Sequence, residues 1–386
     1  PMPLTSKPVK NEHYEPNINS PLHFDDQLKE MLSRLNIASK EFIYKQFDHE
    51  VQGGSVLKPL QGKGRVDSNT TALRPLLDSD KGVILSQGVN PTYSFIDTYD
   101  MAACAIDTAI RNAVTAGANL EHLALLDNFC WCSSNEPEKL FELKRAVRAC
   151  HDYSIEYETP FVSGKDSMFN DFKGFDEKGN PVKISIPPTL LVSSFGVIDD
   201  VKKVISIDAK CKGDLVYLLG TTNIELGGSE YFEMIGEKER GEAYIGNNVP
   251  KVDAKTNRKL YQSYFNAVQE GIVASAISLE KGGLGVALAK TAMAGDLGIT
   301  ISLGVVKGEA RKDNDILFSE SQGRILVTVA PEDEKRFEKL MKGNVYSRIG
   351  IVNGDSLTLI GTNYKTVLET KLSDLSESYK STFRGY

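Results

Sequence analysis

The chain has 386 residues, a formal net charge of -7 and 41% hydrophobic residues. This length exceeds the usual size of one hydrophobic core, so two domains are expected in an otherwise ordinary globular protein. The negative charge argues against sequence-independent nucleic-acid binding, and no apolar run approaches the roughly 20 residues that span a bilayer. We therefore expect a cytoplasmic protein that binds neither nucleic acid nor membrane.

The N-terminal part predicts an arm followed by short elements. Residues 1–22 are rich in proline and asparagine without apolar periodicity, which is typical of a linker or an arm. Helices are predicted over Phe24–Leu35 and Ala38–Phe47 from apolar residues at helical spacing. The glycine-rich segment Gly53–Pro75 predicts a loop, and Gly82–Ser86 predicts a buried strand.

Longer elements follow. A helix is predicted over Asp97–Ala116, because Gly117 occupies the usual stop position. His122–Asp127 predicts an apolar strand, whose last residue lies where strands of mixed sheets often present functional side chains. Pro137–Tyr153 predicts a long charged helix.

The five cysteines are too few and too irregularly spaced for a disulfide framework, so reduced thiols are expected. Cys130 and Cys132 lack the Cys-x-x-Cys spacing, and no second pair or neighbouring histidine completes a metal-ligand set. A packing role is the favoured interpretation.

The segment Thr159–Asn170 carries the most chemistry of any window. Gly164 lets the backbone approach a ligand, and Lys165 offers a compact cation. Ser167 and Asn170 supply hydrogen bonds, so the segment suits a phosphate-bearing substrate. Its spacing is not the Walker pattern, and a surface turn with solvated polar residues has the same composition, so both interpretations stay open.

The second domain is predicted to begin near Ile205, because Gly213–Gly220 opens a new strand and turn. Helices are predicted over Tyr261–Ala276 and Gly285–Met293. Strands are predicted over Pro187–Val197, Ile325–Val329 and Ser356–Ile360. This division gives domains at 23–204 and 205–386, and mixed strands and helices in both predict α+β or α/β folds.

Seven windows together resemble one known family: Ile37–Phe42, Tyr44–Val51, Ala109–Ala118, Ser163–Met168, Gly227–Glu230, Gly282–Ala287 and Leu317–Arg324. They occur in the same order in phosphoribosylformylglycinamidine synthases, which the chain resembles from about Phe24 to its C-terminus. The resemblance implies an aminoimidazole-ribonucleotide-synthetase-like N-terminal domain, with a mixed sheet and helices on one side, followed by an α/β C-terminal domain.

Full synthetases of this family have two similar halves, and the chain resembles the second. The implied reaction converts formylglycinamide ribonucleotide to its amidine in purine synthesis, using ATP and ammonia released from glutamine by a glutaminase domain or subunit. Positioning and charge neutralisation should dominate the phosphoryl transfer.

The catalytic histidine of the family is missing. Its loop corresponds to Ser86–Pro91, which contains no histidine, and none of the five histidines of the chain stands in a matching context. A glutaminase domain with a nucleophilic cysteine is also missing. No catalytic residue is therefore assigned, and the isolated chain is not expected to make the amidine.

Several binding residues follow from the matching motifs. The resemblance implies that Asp127 and Gly164 lie near ATP and that Ser167 contacts the substrate. Lys165 stands where the short form of the family has an asparagine at a magnesium ion. An ammonium cannot ligate a cation, so Lys165 is expected to contact ATP through phosphate.

The resemblance also implies an auxiliary nucleotide site with Mg²⁺, for which Asp67 and Asn112 match the metal ligands. Three other positions differ, with Thr108 for a glutamate, Ser278 for an aspartate and Glu280 for a serine. Losing two carboxylates weakens a magnesium shell, although Asp107 and Glu280 lie close enough in sequence to compensate.

Two motifs keep two interpretations. Glu320–Gln322 matches a substrate-binding motif of the first half but is favoured here as a structural turn. Gly282–Gly285 could cradle a phosphate at a helix start or serve close helix packing. Asp97 and Asp100 are favoured as helix-capping carboxylates.

Two function classes follow from the sequence. The chain is either the second half of an ATP-dependent carbon–nitrogen ligase, completed by an N-terminal catalytic half, or a non-catalytic scaffold or nucleotide-binding module. It is expected to be one part of a longer protein or a split subunit. Because an unpaired apolar face seldom stays exposed, the isolated chain is predicted to form a homodimer through residues 55–200.

Overall fold

The computed structural model describes residues 5–8, 10, 12–46, 49–50 and 53–386. The helices of this part are α1 Asp25–Ser33, α2 Glu41–Gln46, α3 Thr98–Thr115, α4 Pro137–Tyr157, α5 Glu230–Arg240, α6 Ala254–Gln269, α7 Gly283–Gly295, α8 Asp313–Phe318, α9 Glu334–Leu340 and α10 Leu372–Ser381. The strands up to the first long loop are β1 Ser55–Leu57, β2 Leu60–Gln61, β3 Val66–Asp67, β4 Thr70–Leu73, β5 Gly82–Val89, β6 Leu123–Cys130, β7 Phe161–Ser167, β8 Asp171–Phe175, β9 Pro181–Ser185 and β10 Thr189–Ile198. The later strands are β11 Leu215–Leu219, β12 Ser275–Ser278, β13 Ile299–Ser302, β14 Ile325–Val329, β15 Tyr346–Val352, β16 Ser356–Ile360 and β17 Thr366–Lys371.

The first sheet has the strand order β1-β4-β5-β10-β6-β7. Its neighbours are antiparallel except for β6 and β7, which are parallel. α3 packs on β5 and β10 and is itself covered by α4. Leu190 and Val192 point into this core, whereas Phe195 and Val197 on the opposite face of β10 are 39% and 46% exposed. The predicted mixed sheet with helices on one side is confirmed.

α3 is buried along almost its whole length, which its run of alanines permits. Asp97 caps its N-terminus by accepting hydrogen bonds from the backbone N–H groups of Tyr99 and Asp100. The helix lies so close to β5 that a Cβ at Gly88 would be 2.2 Å from the carbonyl oxygen of Ala105. The predicted helix is confirmed, with Gly117 at its end in the left-handed region.

The second sheet has the order β12-β14-β11-β15-β13-β16-β17, with β13 and β16 parallel and the other neighbours antiparallel. Both of its faces are covered. Val216 and Leu218 of β11 pack with α1, α5, α7, α8 and α10. Tyr217 and Leu219 point the other way and join the same hydrophobic core as α3, α4 and α6. One core therefore extends from the first sheet to the second.

The division near Ile205 separates the strands of the two sheets but does not separate their packing. The N–H of Ile205 donates to the carbonyl of Ala116 at the end of α3, at 3.1 Å. The proposed domains at 23–204 and 205–386 stay a prediction.

Three element predictions differ from the structure. Tyr261–Ala276 is not one helix, because α6 ends at Gln269, Gly271 adopts φ +71° and strand β12 follows. The predicted loop over Gly53–Pro75 contains the short strands β1 to β4. The chemistry-rich segment Thr159–Asn170 contains edge strand β7 instead of a simple turn. Phe47, the end of the second predicted helix, lies outside the described residues.

The described residues of the N-terminal arm contact both parts of the chain. Lys7 N–H donates to Pro137 at the start of α4, at 3.0 Å, and His13 N–H donates to Asn247, at 2.8 Å. Further on, Phe24 N–H donates to the carbonyl of Val367 in β17, at 2.8 Å. Across the described part of the chain, no helix combines the length and apolar character needed to cross a bilayer.

Candidate functional site

A cavity of about 280 Å³ lies where the two sheets meet. Gln87 of β5 and Asn112 of α3 line it from the first sheet. Ser278 of β12 and Val286 of α7 line it from the second. A concave space between two packed layers is a common place for a small-molecule ligand.

Part of the cavity lining is apolar and is called here the apolar wall. It consists of Val89, Ala116, Ile205, Ile207, Ala276, Ile277 and Ala287. Flat aromatic groups such as nucleobases bind well against surfaces of this kind, because aliphatic side chains exclude water from the ring face that they contact.

The lining also includes three lysines, Lys40, Lys281 and Lys290. Burial lowers the pKa of Lys40 to about 8, and the ammonium groups of Lys290 and Lys281 act in the same direction, while Asp67 opposes them. Lys290 Nζ donates to the backbone carbonyl of Asp67, at 3.3 Å, and lies 5.6 Å from the ring centre of Tyr379. Like charges held this close favour a bound anion.

Asp67 and Asn112, the predicted metal ligands, both line this cavity. The Asp67 carboxylate accepts hydrogen bonds from the Tyr379 hydroxyl and, at 3.4 Å, from the Lys40 backbone N–H. The Asn112 side-chain amide donates to the carbonyl of Gln87, at 2.9 Å. Each side chain already has partners within the protein.

Glu280 is the other carboxylate at the cavity, and Asn69 donates to it at 2.7 Å. Within the described ranges, no group of three or more His, Cys, Asp or Glu side chains is arranged to hold a metal ion. Mg²⁺ demands octahedral oxygen coordination, so this donor set does not form a protein-built magnesium site.

The expectation that Asp107 compensates for lost carboxylates is wrong. Asp107 is fully buried away from the cavity and forms an ion pair with Arg111. It also accepts hydrogen bonds from the hydroxyls of Tyr157 and Tyr261, at 2.5 and 2.6 Å, and from the amide of Asn257, at 3.0 Å. These contacts join α3 to α4 and α6, so Asp107 holds the core together.

The two replaced ligand positions also have internal partners. Thr108 donates to the side-chain oxygen of Gln322, at 3.0 Å. The Ser278 hydroxyl lines the cavity and accepts from Arg111 Nε, at 2.8 Å. A buried guanidinium thus lies beside the place where the resemblance expects a carboxylate.

The segment Gly282–Gly285 begins α7, and Gly283 reaches the cavity. A Cβ at Gly283 would lie 2.4 Å from the carbonyl oxygen of Ser319, so the glycine is required for close packing against the end of α8. The positive end of the α7 dipole adds to the attraction of the cavity for anions.

Asp127, Gly164, Lys165 and Ser167 lie elsewhere, on the neighbouring strands β6 and β7. Asp127 pairs with Gly164, and a Cβ on this glycine would lie 2.0 Å from an Asp127 carboxylate oxygen. The glycine therefore makes room for a carboxylate. Burial and then the neighbouring Asp166 raise the pKa of Asp127.

Asp127 and Ser167 do not share one pocket. The pairing shifts by one residue at Val162, because Leu125 pairs with Phe161 but Leu126 pairs with Ser163. Successive strand residues alternate between faces, so this bulge places Lys165 and Ser167 opposite Asp127, on the open face. The Ser167 hydroxyl donates to Asn170, at 3.3 Å.

Glu320 and Gln322 are buried within the protein. Glu320 accepts from the Tyr93 hydroxyl at 2.5 Å, and from the N–H groups of Gly282 and Glu230 at 2.9 and 3.1 Å. Burial raises the pKa of Glu320 to about 7. These contacts agree with the structural interpretation of the Glu320–Gln322 motif.

The three cavity lysines were not predicted as site residues. Lys40 lies within the shared Ile37–Phe42 window, Lys281 precedes the glycine-rich start of α7, and Lys290 lies within that helix. The one available signal was Lys281 next to a glycine-rich helix start, where anions bind readily.

Comparisons with known proteins agree with this architecture. The family models for AIR synthase related protein match in two places, the N-terminal domain at residues 68–186 and the C-terminal domain at residues 212–361. Phosphoribosylformylglycinamidine synthase subunit PurL of Methanocaldococcus jannaschii is 32% identical over 376 residues, which are 97% of this chain and 48% of the relative. The same subunit of Alkaliphilus metalliredigens is 32% identical over 366 residues, 94% of this chain and 46% of the relative.

Among solved structures, T. maritima PurL complexed with FGAR superposes with a TM-score of 0.65 at 20% identity, covering 92% of this chain and 56% of that one. The same PurL has been solved with ADP and with ATP, at TM-scores of 0.62 and 0.59. The chain spans about half the length of the curated relatives that it matches. In sequence and in fold, the chain belongs to the AIR synthase related family, and it is similar to one half of PurL, a subunit of phosphoribosylformylglycinamidine synthase.

Proposed function

We propose that the chain is the second half of a phosphoribosylformylglycinamidine synthase. In this role it contributes ATP- and substrate-binding residues to the amidation of formylglycinamide ribonucleotide in purine synthesis. The observation that carries the proposal is the cavity between the two sheets, which combines three lysines with an apolar wall in a fold shared with PurL.

The cavity is the proposed nucleotide site of the chain. Its apolar wall suits a base, and Lys40, Lys281 and Lys290 suit phosphates, because compact ammonium groups bind phosphate oxygens through charge-assisted hydrogen bonds. T. maritima PurL, which has been solved with ADP and with ATP, gives the proposal its nucleotide class. The family resemblance also implies Mg²⁺. The oxygen ligands at the cavity decide whether this ion binds, and that question is separate from nucleotide binding.

Ser167 on β7 is proposed to contact the substrate, and Asp127, Gly164 and Lys165 are proposed to lie near ATP, in a site that a second domain completes. Lys165 and Ser167 lie on the open face of the first sheet, where Leu85, Phe195 and Val197 are each at least 38% exposed. An apolar sheet face of this kind favours packing against a partner. The N-terminal catalytic half fits this place, and in its absence a second copy of the chain takes it.

The missing histidine makes the chain depend on that partner. The segment Ser86–Pro91, which forms the end of β5 and the turn after it, offers hydroxyl and amide groups but no imidazole. Ser86 already donates to the carbonyl of Ala109, at 2.6 Å. Ammonia is proposed to arrive from a glutaminase domain or subunit. The chain alone is expected to bind ligands without completing the amidation.

A reconstitution assay tests the proposal. Purified chain, formylglycinamide ribonucleotide, ATP and ammonium should give no amidine, whereas addition of a separately expressed N-terminal half should give ADP and amidine together. Ser167→Ala should raise the KM for the ribonucleotide in the mixture, and Ser185→Ala on the exposed strand β9 is the matched control. Product from the chain alone, or no gain on mixing, contradicts the proposed role.

A further inference from the structure

The charges at the cavity do not suit a divalent cation. Three ammonium groups, from Lys40, Lys281 and Lys290, line the same space as the carboxylates of Asp67 and Glu280. Mg²⁺ is normally held by carboxylates together with phosphates, and every nearby lysine raises the electrostatic cost of placing a second cation there.

The two carboxylates are also engaged by other groups. Asp67 accepts hydrogen bonds from Tyr379 and from the backbone of Lys40, and Glu280 accepts from Asn69. These hydrogen bonds compete with a metal ion for the lone pairs of the two carboxylates. In addition, Ser278 holds the guanidinium of Arg111 next to the cavity.

The lysine ammonium groups, in contrast, can still donate hydrogen bonds to a ligand. Lys40 Nζ donates to the carbonyls of Leu35 and Ala38, at 2.6 and 2.5 Å, which fixes the ammonium but uses only two of its three N–H groups. Lys290 Nζ is positioned by the backbone of Asp67. Ammonium groups fixed at the wall of a cavity can replace a metal ion as the neutralising charge on a phosphate.

We propose that the cavity holds the phosphates of a nucleoside diphosphate directly through Lys40, Lys281 and Lys290, without a bound divalent cation. This inference rests on the proposed nucleotide site and adds the way in which its charge is neutralised. It departs from the magnesium expected from the family resemblance, because two carboxylate positions have become neutral and a buried arginine adjoins one of them.

Calorimetric titration with ADP tests the inference on the unmodified chain. The dissociation constants measured in EDTA and in excess Mg²⁺ should agree within about threefold. Binding that requires Mg²⁺ overturns the inference and leaves the nucleotide site standing. No binding in either condition overturns both. The two failures are therefore distinguishable.

Variants provide a second, independent measurement. Lys290→Gln should weaken ADP binding about tenfold in EDTA, because one charge-assisted contact is lost, while the exposed Lys202→Gln is the matched control. Asp67→Asn should tighten binding about threefold, since it removes a negative charge from the cavity. A magnesium-held nucleotide would instead be lost in Asp67→Asn, and circular dichroism checks that each variant is folded.

Discussion

The Asp107→Asn substitution tests the buried network that joins the two parts of the chain. Asp107 and Arg111 are both fully buried and paired, and two tyrosine hydroxyls also donate to Asp107. Asparagine keeps the shape but removes the negative charge, so Arg111 becomes a buried cation without its ionic partner. Breaking one side of a buried ion pair typically costs about 3–5 kcal/mol.

The expected loss of stability in Asp107→Asn is large, because several hydrogen-bond donors lose a charged acceptor. Besides Arg111 and the tyrosines, Asn257 Nδ2 and Gly323 N–H donate to Asp107, at 3.0 and 3.2 Å. The asparagine amide group can accept through only one of its two polar atoms, which leaves some donors unpaired. Since whole proteins are stable by about 5–15 kcal/mol, the loss should be plain in a denaturation curve.

Urea unfolding followed by circular dichroism measures this effect. Asp107→Asn should shift the midpoint strongly to lower urea, with little change in slope. Asp80→Asn, which removes an exposed ion pair with Lys202, is the matched control and should leave the midpoint unchanged. A loss below about 1 kcal/mol in Asp107→Asn would refute the view that this network holds the two parts together.

Three further predictions follow from the structure. Because burial raises the pKa of Glu320 from 4.5 to about 7, its stabilising contribution is complete below pH 4.5 and is lost as the pH rises to about 7. Glu320→Gln stays neutral, so between pH 4.5 and 8 its free energy of unfolding should rise by up to about 3 kcal/mol relative to that of the parent protein. A difference in unfolding free energy that does not depend on pH argues against this. Gly88→Ala forces a Cβ to 2.2 Å from the α3 backbone, so the variant should be insoluble or should show a strongly lowered stability in thermal unfolding. Gly385→Ala is the control, because its Cβ meets no atom within 4 Å, and its thermal unfolding should match that of the parent protein. Phe195→Asp on the open sheet face should convert the isolated chain from dimer to monomer in light scattering, and a parent chain that is already monomeric at high micromolar concentration contradicts the predicted dimer.

Local sequence signals were sufficient to predict the elements whose ends are marked by capping or breaking residues. The helix after Asp97 was predictable, because a capping carboxylate precedes it and Gly117 follows it. Strand Ile325–Val329 was predictable as a short apolar run. The end of α6 was missed, because the apolar residues beyond Gln269 belong to a buried strand, and buried strands and helices are alike in composition.

The site was predictable only in part. Asp67 and Asn112 were expected in one site, and both line the cavity. Lys40 is distant in sequence from Lys281 and Lys290, and only tertiary packing brings the three lysines to one cavity. The separation of Asp127 from Ser167 depends on one extra residue in β7, which no local pattern reveals.

The continuous core between the sheets limits how a ligand can enter the cavity. A hinge motion that separated the two sheets would expose Tyr217 and Tyr261, which are fully buried. Because exposing such large rings to water costs much free energy, a hinge motion is not the expected route of ligand entry. Entry should therefore be a local event near the residues that line the cavity, one that leaves the two packed layers in place.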